Sequence, residues 1–335
     1  MMEDSRPKVT MTQIAEKAGV SKATVSRALG GSSLIGEKVC AHVEEIADEL
    51  GYVRKAQKRH AERSILTIKV VLAEPIHQGG QLFYDFMTLI NGLREGLLPS
   101  CANVIVDTYG DDFRAFPHKK GGQIDAFIFA FHRPSSEVIR EIRERGAACV
   151  VLNRIVRGVR HVVSDHYDAL GQIAEHLADR GVKGNCCFVS FRGIEDVSNV
   201  RARGFADGCE KHGIAFDPEK DCWTAGTTLD ITKEGVRDQY EKGVRTFVGM
   251  NDIVGVILLQ QLRELDLRIP EDVRVTGCDR APIHAMIYPK LTTVCLPIHE
   301  LAKEAGRSLQ SEIMQKQVAK NALIVKGKLL IGETT

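Results

Sequence analysis

The stretch that most constrains this chain runs from Met11 to Leu29, MTQIAEKAGVSKATVSRAL. Ile14, Ala15 and Ala18 recur at helical spacing, so its first half carries a small apolar face. Gly19 interrupts that helix, and glycine takes the positive φ of a tight inter-helix turn at no steric cost. Val20 follows as an apolar plug for the angle between two helices. Ser21 is placed to cap the next helix by accepting an orphan N–H from its first turn. In that second helix Val25, Ala28 and Leu29 face inward, which leaves Lys22, Ala23, Ser26 and Arg27 outward. An ordinary helical hairpin fits this pattern. So does a helix-turn-helix, whose second helix enters the DNA major groove.

The flanking residues separate the two. From Val9 through GVSKATVSRALGGSS to the ELGY at Glu49–Tyr52, the chain resembles the LacI family of bacterial transcription regulators. The resemblance implies DNA binding, with Lys22, Ala23 and Arg27 at base-facing positions and Ser21, Thr24 and Ser26 placed for phosphates. A helix-turn-helix domain over 8–53 is expected, its third helix being Glu37–Leu50 with Val39, Val43, Ile46 and Leu50 at core spacing. Residues 54–64 are too polar to hold a core and read as a linker. In the family this segment is a hinge helix that folds on DNA, so Lys55, Lys58 and Arg59 join the expected DNA contacts. Ala61 stands where the family has a leucine wedged into the minor groove. A methyl group cannot offset the cost of unstacking a base step, so weaker bending is expected.

Composition narrows the classes that remain. With 335 residues the chain can build two or three domains with large cores, and 27% charged against 44% hydrophobic residues describes a globular protein. A net charge of +1 gives no hint of nucleic acid; the basic run Arg54, Lys55, Lys58, Arg59 and Arg63 does. The nine cysteines contain no CxxC pair and no Cys/His spacing typical of zinc, so neither metal nor other cofactor is expected. Cys149, Cys186, Cys187 and Cys295 lie in apolar runs, where a free thiol acts as a small hydrophobe. No signal peptide opens the sequence and no apolar run approaches the ~20 residues that span a bilayer. Cytoplasmic residence with reduced thiols is the expectation.

From Ile65 onward, apolar strands alternate with amphipathic helices. Strands are predicted at Leu66–Ala73, Asn103–Thr108, Ala126–Phe131, Ala148–Leu152, Val162–Ser164, Cys186–Ser190, Thr246–Gly249, Val273–Gly277 and Thr293–Cys295. Helices are predicted at Leu82–Leu97, Ser136–Arg145, Tyr167–Arg180, Val200–His212, Asp230–Lys242, Val254–Leu265 and Ile298–Gln315, with two short strands closing the chain. Such alternation argues parallel sheets covered on both faces, and so many units argue two lobes. The expected fold is multidomain: a small all-α headpiece followed by a bilobed α/β domain over 65–335 with two parallel sheets.

The resemblance continues through GAACVVLNR at Gly146–Arg154, HVVSDHYDALGQIAEHL at His161–Leu177 and NVRARGF at Asn199–Phe205. It extends to MNDIVGVILLQQLRELDLRIPEDVRVTGCD at Met250–Asp279 and PKLTTVCLP at Pro289–Pro297. It implies a periplasmic-binding-protein-like domain holding a small polar, sugar-like effector between two lobes. Arg201 matches a family arginine that bonds effector oxygens, and Asp279 a family acid that contacts the effector. Asn251 and Asp252 lie at predicted strand ends, Asn153 and Arg154 sit where the chain leaves the first lobe, and Trp223 falls where the family places an aromatic against a ring. Strand-end Asp and Asn are also ordinary caps, and a lone Trp is also ordinary core. Two departures stand out: the chain is short between Thr108 and Ile124, which reduces one helix to a stub, and PIHQGGQLFYDF lacks the family's usual asparagine-proline-aromatic sequence.

No heptad tail is visible, so a homodimer on a pseudo-palindromic operator is expected. The chain also lacks G-x-S-x-G, G-x-x-x-x-G-K-[ST], H-E-x-x-H and, after a strand, G-x-G-x-x-G. The expectation is a repressor, not an enzyme. A cytoplasmic solute-binding protein or a sugar-active enzyme on the same fold are the alternatives.

Overall fold

A computed structural model of the chain describes residues 9–30, 35–50, 52, 65–73, 85–116, 124–314 and 322–335. The hinge segment 54–64, with Lys55, Lys58, Arg59 and Ala61, lies outside the described residues.

Three helices form the headpiece: α1 (Met11–Ala18), α2 (Lys22–Gly30) and α3 (Glu37–Glu49). Thr10 and Gln13 cap α1 reciprocally, as a capping box. Gly19 ends it at φ +65°, and the Val20 N–H donates to the Ala15 carbonyl at 3.0 Å. Ile14, Ala15, Val25, Ala28, Leu29, Val43, Ile46 and Ala47 make one buried cluster. Val39, expected in it, is 37% exposed. Cys40 packs against the cluster instead, because the buried stripe of α3 runs through Cys40, Val43, Ile46 and Ala47.

By its contacts the chain divides into two compact units, the headpiece counting with the first. The first contains a six-stranded sheet built on β1 (Ile65–Ala73), β2 (Cys101–Tyr109), β3 (Ala126–Ala130), β4 (Ala148–Leu152) and β5 (Arg160–Ser164). Its spatial order is 2-1-3-4-5, with the strand Ala322–Val325 at the outer edge, and each adjacent pair from β2 to β5 is parallel. Every residue of β3 is buried, as a strand covered on both faces requires. Helices α4 (Phe86–Gly96) and α5 (Ser136–Glu144) belong to this stretch. Of the segment in which a helix stub was expected, residues 110–116 include a turn and bury Phe113 and Ala115, and residues 117–123 lie outside the described residues.

The second unit holds α6 (His166–Asp179), β6 (Cys186–Phe191), α7 (Glu195–His212), β7 (Cys222–Ala225), α8 (Lys233–Glu241), β8 (Thr246–Gly249), α9 (Asp252–Glu264), β9 (Arg274–Thr276) and β10 (Thr293–Cys295). Its parallel sheet has the order β7-β6-β8-β9. Later come α10 (Ile298–Ile313), β11 (Ala322–Val325) and β12 (Lys328–Leu330), the last antiparallel to β10. The strand β7 is absent from the sequence expectations; it is four residues long and only partly buried, too short for a periodic signal. Helices α6 and α7 touch through small residues. A Cβ on Gly204 would stand 2.2 Å from the Tyr167 carbonyl oxygen, and one on Gly208 would stand 2.8 Å from the Ala174 Cβ. Among the described residues no helix is long and apolar enough to cross a membrane.

Candidate functional site

The outer face of α2 is the first candidate. Lys22, Ala23, Ser26 and Arg27 are exposed, while Val25, Ala28 and Leu29 are buried, so the helix presents small and cationic groups outward. The Ser21 hydroxyl accepts the Thr24 N–H at 3.0 Å and pairs with the Thr24 hydroxyl at 2.8 Å. Two hydroxyls share one hydrogen bond here, so one O–H remains to donate outward. A donor at a helix N-terminus is the chemistry that suits a phosphate oxygen.

The second candidate lies at the carboxyl ends of the second-unit strands, where open α/β sheets bind ligands. Arg201, in the interior of α7, is almost fully buried. Its Nη1 donates to the Met250 carbonyl, just past β8, at 2.6 Å. Its Nη2 donates to the Asp279 carboxylate, just past β9, and to Nδ1 of His166 at 3.1 Å, at the start of α6. Burial alone would lower the arginine pKa, but the Asp279 charge and hydrogen bond together with the Cys278 and Asp252 contributions outweigh it, and the net shift is upward. Asp279 has φ +111° and Arg280 φ +52°, so the chain after β9 makes a turn that L-residues adopt only under tertiary constraint. The constraint is visible: the Asp279 N–H donates to Val294 O at 2.9 Å, and its carbonyl accepts from Leu296 N at 3.3 Å.

Asp252, at the start of α9, is fully buried beside this cluster. It accepts from Ala281 N at 2.7 Å and from the Thr293 hydroxyl at 2.6 Å. Desolvation pushes its pKa up to about 8, and the Asp279 charge adds to that. The folded protein therefore keeps this proton at pH values where the unfolded chain has lost it. Stability contributed by the protonated form is full near pH 4 and falls as pH rises toward 8. Asp252→Asn resembles the protonated acid, with the Thr293 hydroxyl turning to accept. We expect the variant to show a flatter pH dependence of Tm between pH 4 and 8; an unchanged slope would place the titration elsewhere.

The remaining expected residues fall into place as follows. Asn251 is the N-cap of α9, its Oδ1 accepting from Val254 N at 2.9 Å. Trp223 packs against the second-unit core with its six-membered ring over Gly235 of α8, a packing position. Asn153 and Arg154 belong to the first unit; Asn153 sits at φ +58° after β4, and Arg154 donates to the Asn153 carbonyl at 2.7 Å. The structure thus joins Arg201 to Asp279 and His166.

Two site residues were invisible in the sequence, His166 and His132. His166 meets Arg201 across 35 positions, and nothing in a local pattern signals such a pairing. His132 lies just after β3 in the first unit, stacked on Tyr109 at a centroid distance of 4.7 Å. Its Nε2 donates to Val71 O of β1 at 3.2 Å, across the β1/β3 junction where the strand order reverses. Desolvation, with a smaller effect from the Arg154 charge, lowers its pKa to about 4. Among the described residues no cluster of His, Cys, Asp or Glu suits a metal ion.

Known proteins show the same organisation. Residues 10–55 match the family described as bacterial regulatory proteins, lacI family, and residues 174–335 match the periplasmic binding protein-like domain. Catabolite control protein A of Priestia megaterium is 25% identical over 330 residues, covering 94% of this chain and 96% of the relative. The transcriptional regulator CelR in complex with cellobiose superposes with a TM-score of 0.67 at 21% identity, covering 98% of this chain and all of that one. The Lac repressor dimer bound to operator and the anti-inducer ONPF superposes at 0.61 and 18% identity, covering 98% and 99%. With a helix-turn-helix headpiece followed by a periplasmic-binding-protein-like domain, this chain belongs to the LacI family of DNA-binding transcription regulators.

Proposed function

We propose that this chain is a repressor that binds a pseudo-palindromic operator as a homodimer and is released or tightened by a small polar, sugar-like effector. The observation that carries this reading is the exposed face of α2, with Lys22, Ala23, Ser26 and Arg27 outward and a capping pair, Ser21 and Thr24, at its N-terminus. An operator-bound dimer and a cellobiose complex among the structural neighbours support it. Lys55, Lys58 and Arg59 add backbone contacts in the hinge. The effector is received at the carboxyl ends of the second-unit strands, with Arg201, Asp279 and Asn251 as its candidate surroundings there. The protein acts in the cytoplasm, where its DNA is.

Arg27 tests this reading. Its guanidinium can bond one guanine edge through two donors, which is worth about 1–3 kcal/mol of discrimination at one base pair per half-site. A binding-site selection on Arg27→Ala is expected to return an operator relaxed at that pair, whereas Thr24→Ala weakens all sequences evenly. An unchanged preference in Arg27→Ala would remove the residue from the reading face. A gel shift with no retained DNA for the unaltered chain would favour a solute-binding protein.

A further inference from the structure

We infer that residues 326–330 form a strap through which the Arg201 cluster acts on the chain crossings between the two units, with Gln172 as the positioning residue that grips it. This rests on the effector-controlled reading above and supplies the element that such control would move.

The strap is gripped from two sides. On one side lies α6, where the Gln172 side chain bonds the strap as a neighbouring strand would. Its Nε2 donates to the Gly327 carbonyl at 3.2 Å, and its Oε1 accepts from Leu329 N at 3.0 Å. The same Nε2 donates to Asp168 at 2.8 Å, so both amide protons are used and the group is fixed in rotation. Lys326 also reaches Asp168, at 2.7 Å, but its side chain is 70% exposed and such a pair contributes little. Gln172 carries the grip. On the other side β12 pairs antiparallel with β10, Lys328 opposite Cys295 and Leu330 opposite Thr293. The fit is closest at Gly327, where a Cβ would stand 2.7 Å from Val294 Cγ1.

These two flanks are the elements that Arg201 ties together. Its Nη2 reaches His166, the first residue of α6, and Asp279. Asp279 in turn is bonded to the β10 segment, its N–H to Val294 O and its carbonyl to Leu296 N. The contacts close a ring that runs from Arg201 through α6, the strap, β10 and Asp279 back to Arg201. Packed interiors pass strain on, so a shift of α6 against β10 at the Arg201 end displaces what both hold at the other. The strap follows directly on β11, and the chain passes from the first unit to the second at 163/164 and again at 323/324. Asp165 N donates to Val325 O at 2.9 Å, which bonds the two crossings to each other. Displacing the strap displaces both.

Hydrogen exchange of the full chain, without DNA or sugar and resolved to single amides, tests the ring. Gln172→Leu keeps the bulk of the side chain and removes its bonds. The Leu329 and Asp165 amides are then expected to exchange about tenfold faster or more, because local opening sets their rate. The reference is the Phe188 amide, which bonds Asp221 O in the same unit. His166→Leu cuts the ring at the end away from the strap and should speed Leu329 about threefold. His166→Asn retains an acceptor for Arg201 and should return Leu329 to its original rate. If Gln172 merely supports α6, Leu329 is insensitive to His166, and that result overturns the inference. A rise at Leu329 no larger than at Phe188 is a loss of global stability and overturns it too.

Affinity for the duplex that the unaltered chain selects gives a second readout. The headpiece closes its own apolar cluster, so variants in the second unit reach it only by coupling. Gln172→Leu and His166→Leu are expected to change the affinity about threefold or more in the same direction, and the double variant no further than either alone. Unchanged affinity or additive effects overturn the inference and leave the regulator reading intact. An unaltered chain that retains no DNA overturns the regulator reading, and the exchange rates still decide the strap.

Discussion

Gly204→Ala is expected to destabilise the second unit by about 3 kcal/mol, although alanine is the better helix former by ~1 kcal/mol. The new methyl would meet the Tyr167 carbonyl oxygen at 2.2 Å and the Tyr167 carbonyl carbon at 2.8 Å. Those are backbone atoms of the neighbouring helix, so no rotamer change relieves the clash and α6 and α7 must move apart. That separation would open the layer in which Leu170, Ile173, Ala174, Phe205 and Cys209 are buried. Gly171→Ala is the matched control. Its Cβ would lie 3.8 Å from the nearest atom, the Gly204 carbonyl oxygen, an ordinary contact, so helix propensity should make it neutral or slightly stabilising. Trp223 is the chain's single tryptophan and lies in this unit, so its fluorescence in a urea titration reads both variants. Equal midpoints for the two would show that the helices are not in close contact.

Arg201→Ala is the second large effect, and here the structure changes the expectation. From the sequence alone, a ligand-contacting arginine could be removed with folding and operator binding intact. In the structure the side chain is buried, and Asp279 is its charge partner. Removing one member of a buried pair leaves the other desolvated and uncompensated, a loss of about 3–5 kcal/mol. The Met250 carbonyl loses a donor as well. The double variant Arg201→Met with Asp279→Asn should recover much of this loss, because an apolar chain of similar volume replaces both charges. Urea midpoints of the single and double variants, followed at Trp223, provide the comparison. A double variant no more stable than Arg201→Ala would mean that packing, and not charge, sets the cost.

The helix-turn-helix was legible because its elements are short and local: Gly19 and Ser21 mark boundaries by chemistry that acts within a few residues. The strands β4 and β8 were legible with their ends because buried parallel strands are short apolar runs. Val39 misled because Val39, Val43, Ile46 and Leu50 share a helical spacing, and only packing against α1 and α2 decides which edge of that stripe is covered. Asn251 could not be sorted from sequence, since an asparagine at a strand end serves equally as cap or ligand. The Arg201–Asp279–His166 cluster depends on backbone turns and helix starts separated by 35 and 78 positions. No periodicity carries that information. The direction in which a lone tryptophan points is equally silent, and Trp223 turned toward α8.

The far end of the chain has a consequence for the order in which the protein can assemble during synthesis. The headpiece closes its cluster with residues no later than Tyr52. The two α/β sheets cannot do the same, because residues 301–323 count with the first compact unit, which also includes the headpiece, and 324–335 with the second. In the second unit Asp165 N donates to Val325 O at 2.9 Å, and the Thr335 hydroxyl lies 2.8 Å from His176 Nε2 in buried surroundings. A ribosome therefore releases a finished DNA-reading module long before either α/β unit has its last strand. Through most of translation the apolar strands wait for partners made last, which is when chaperones have most to hold.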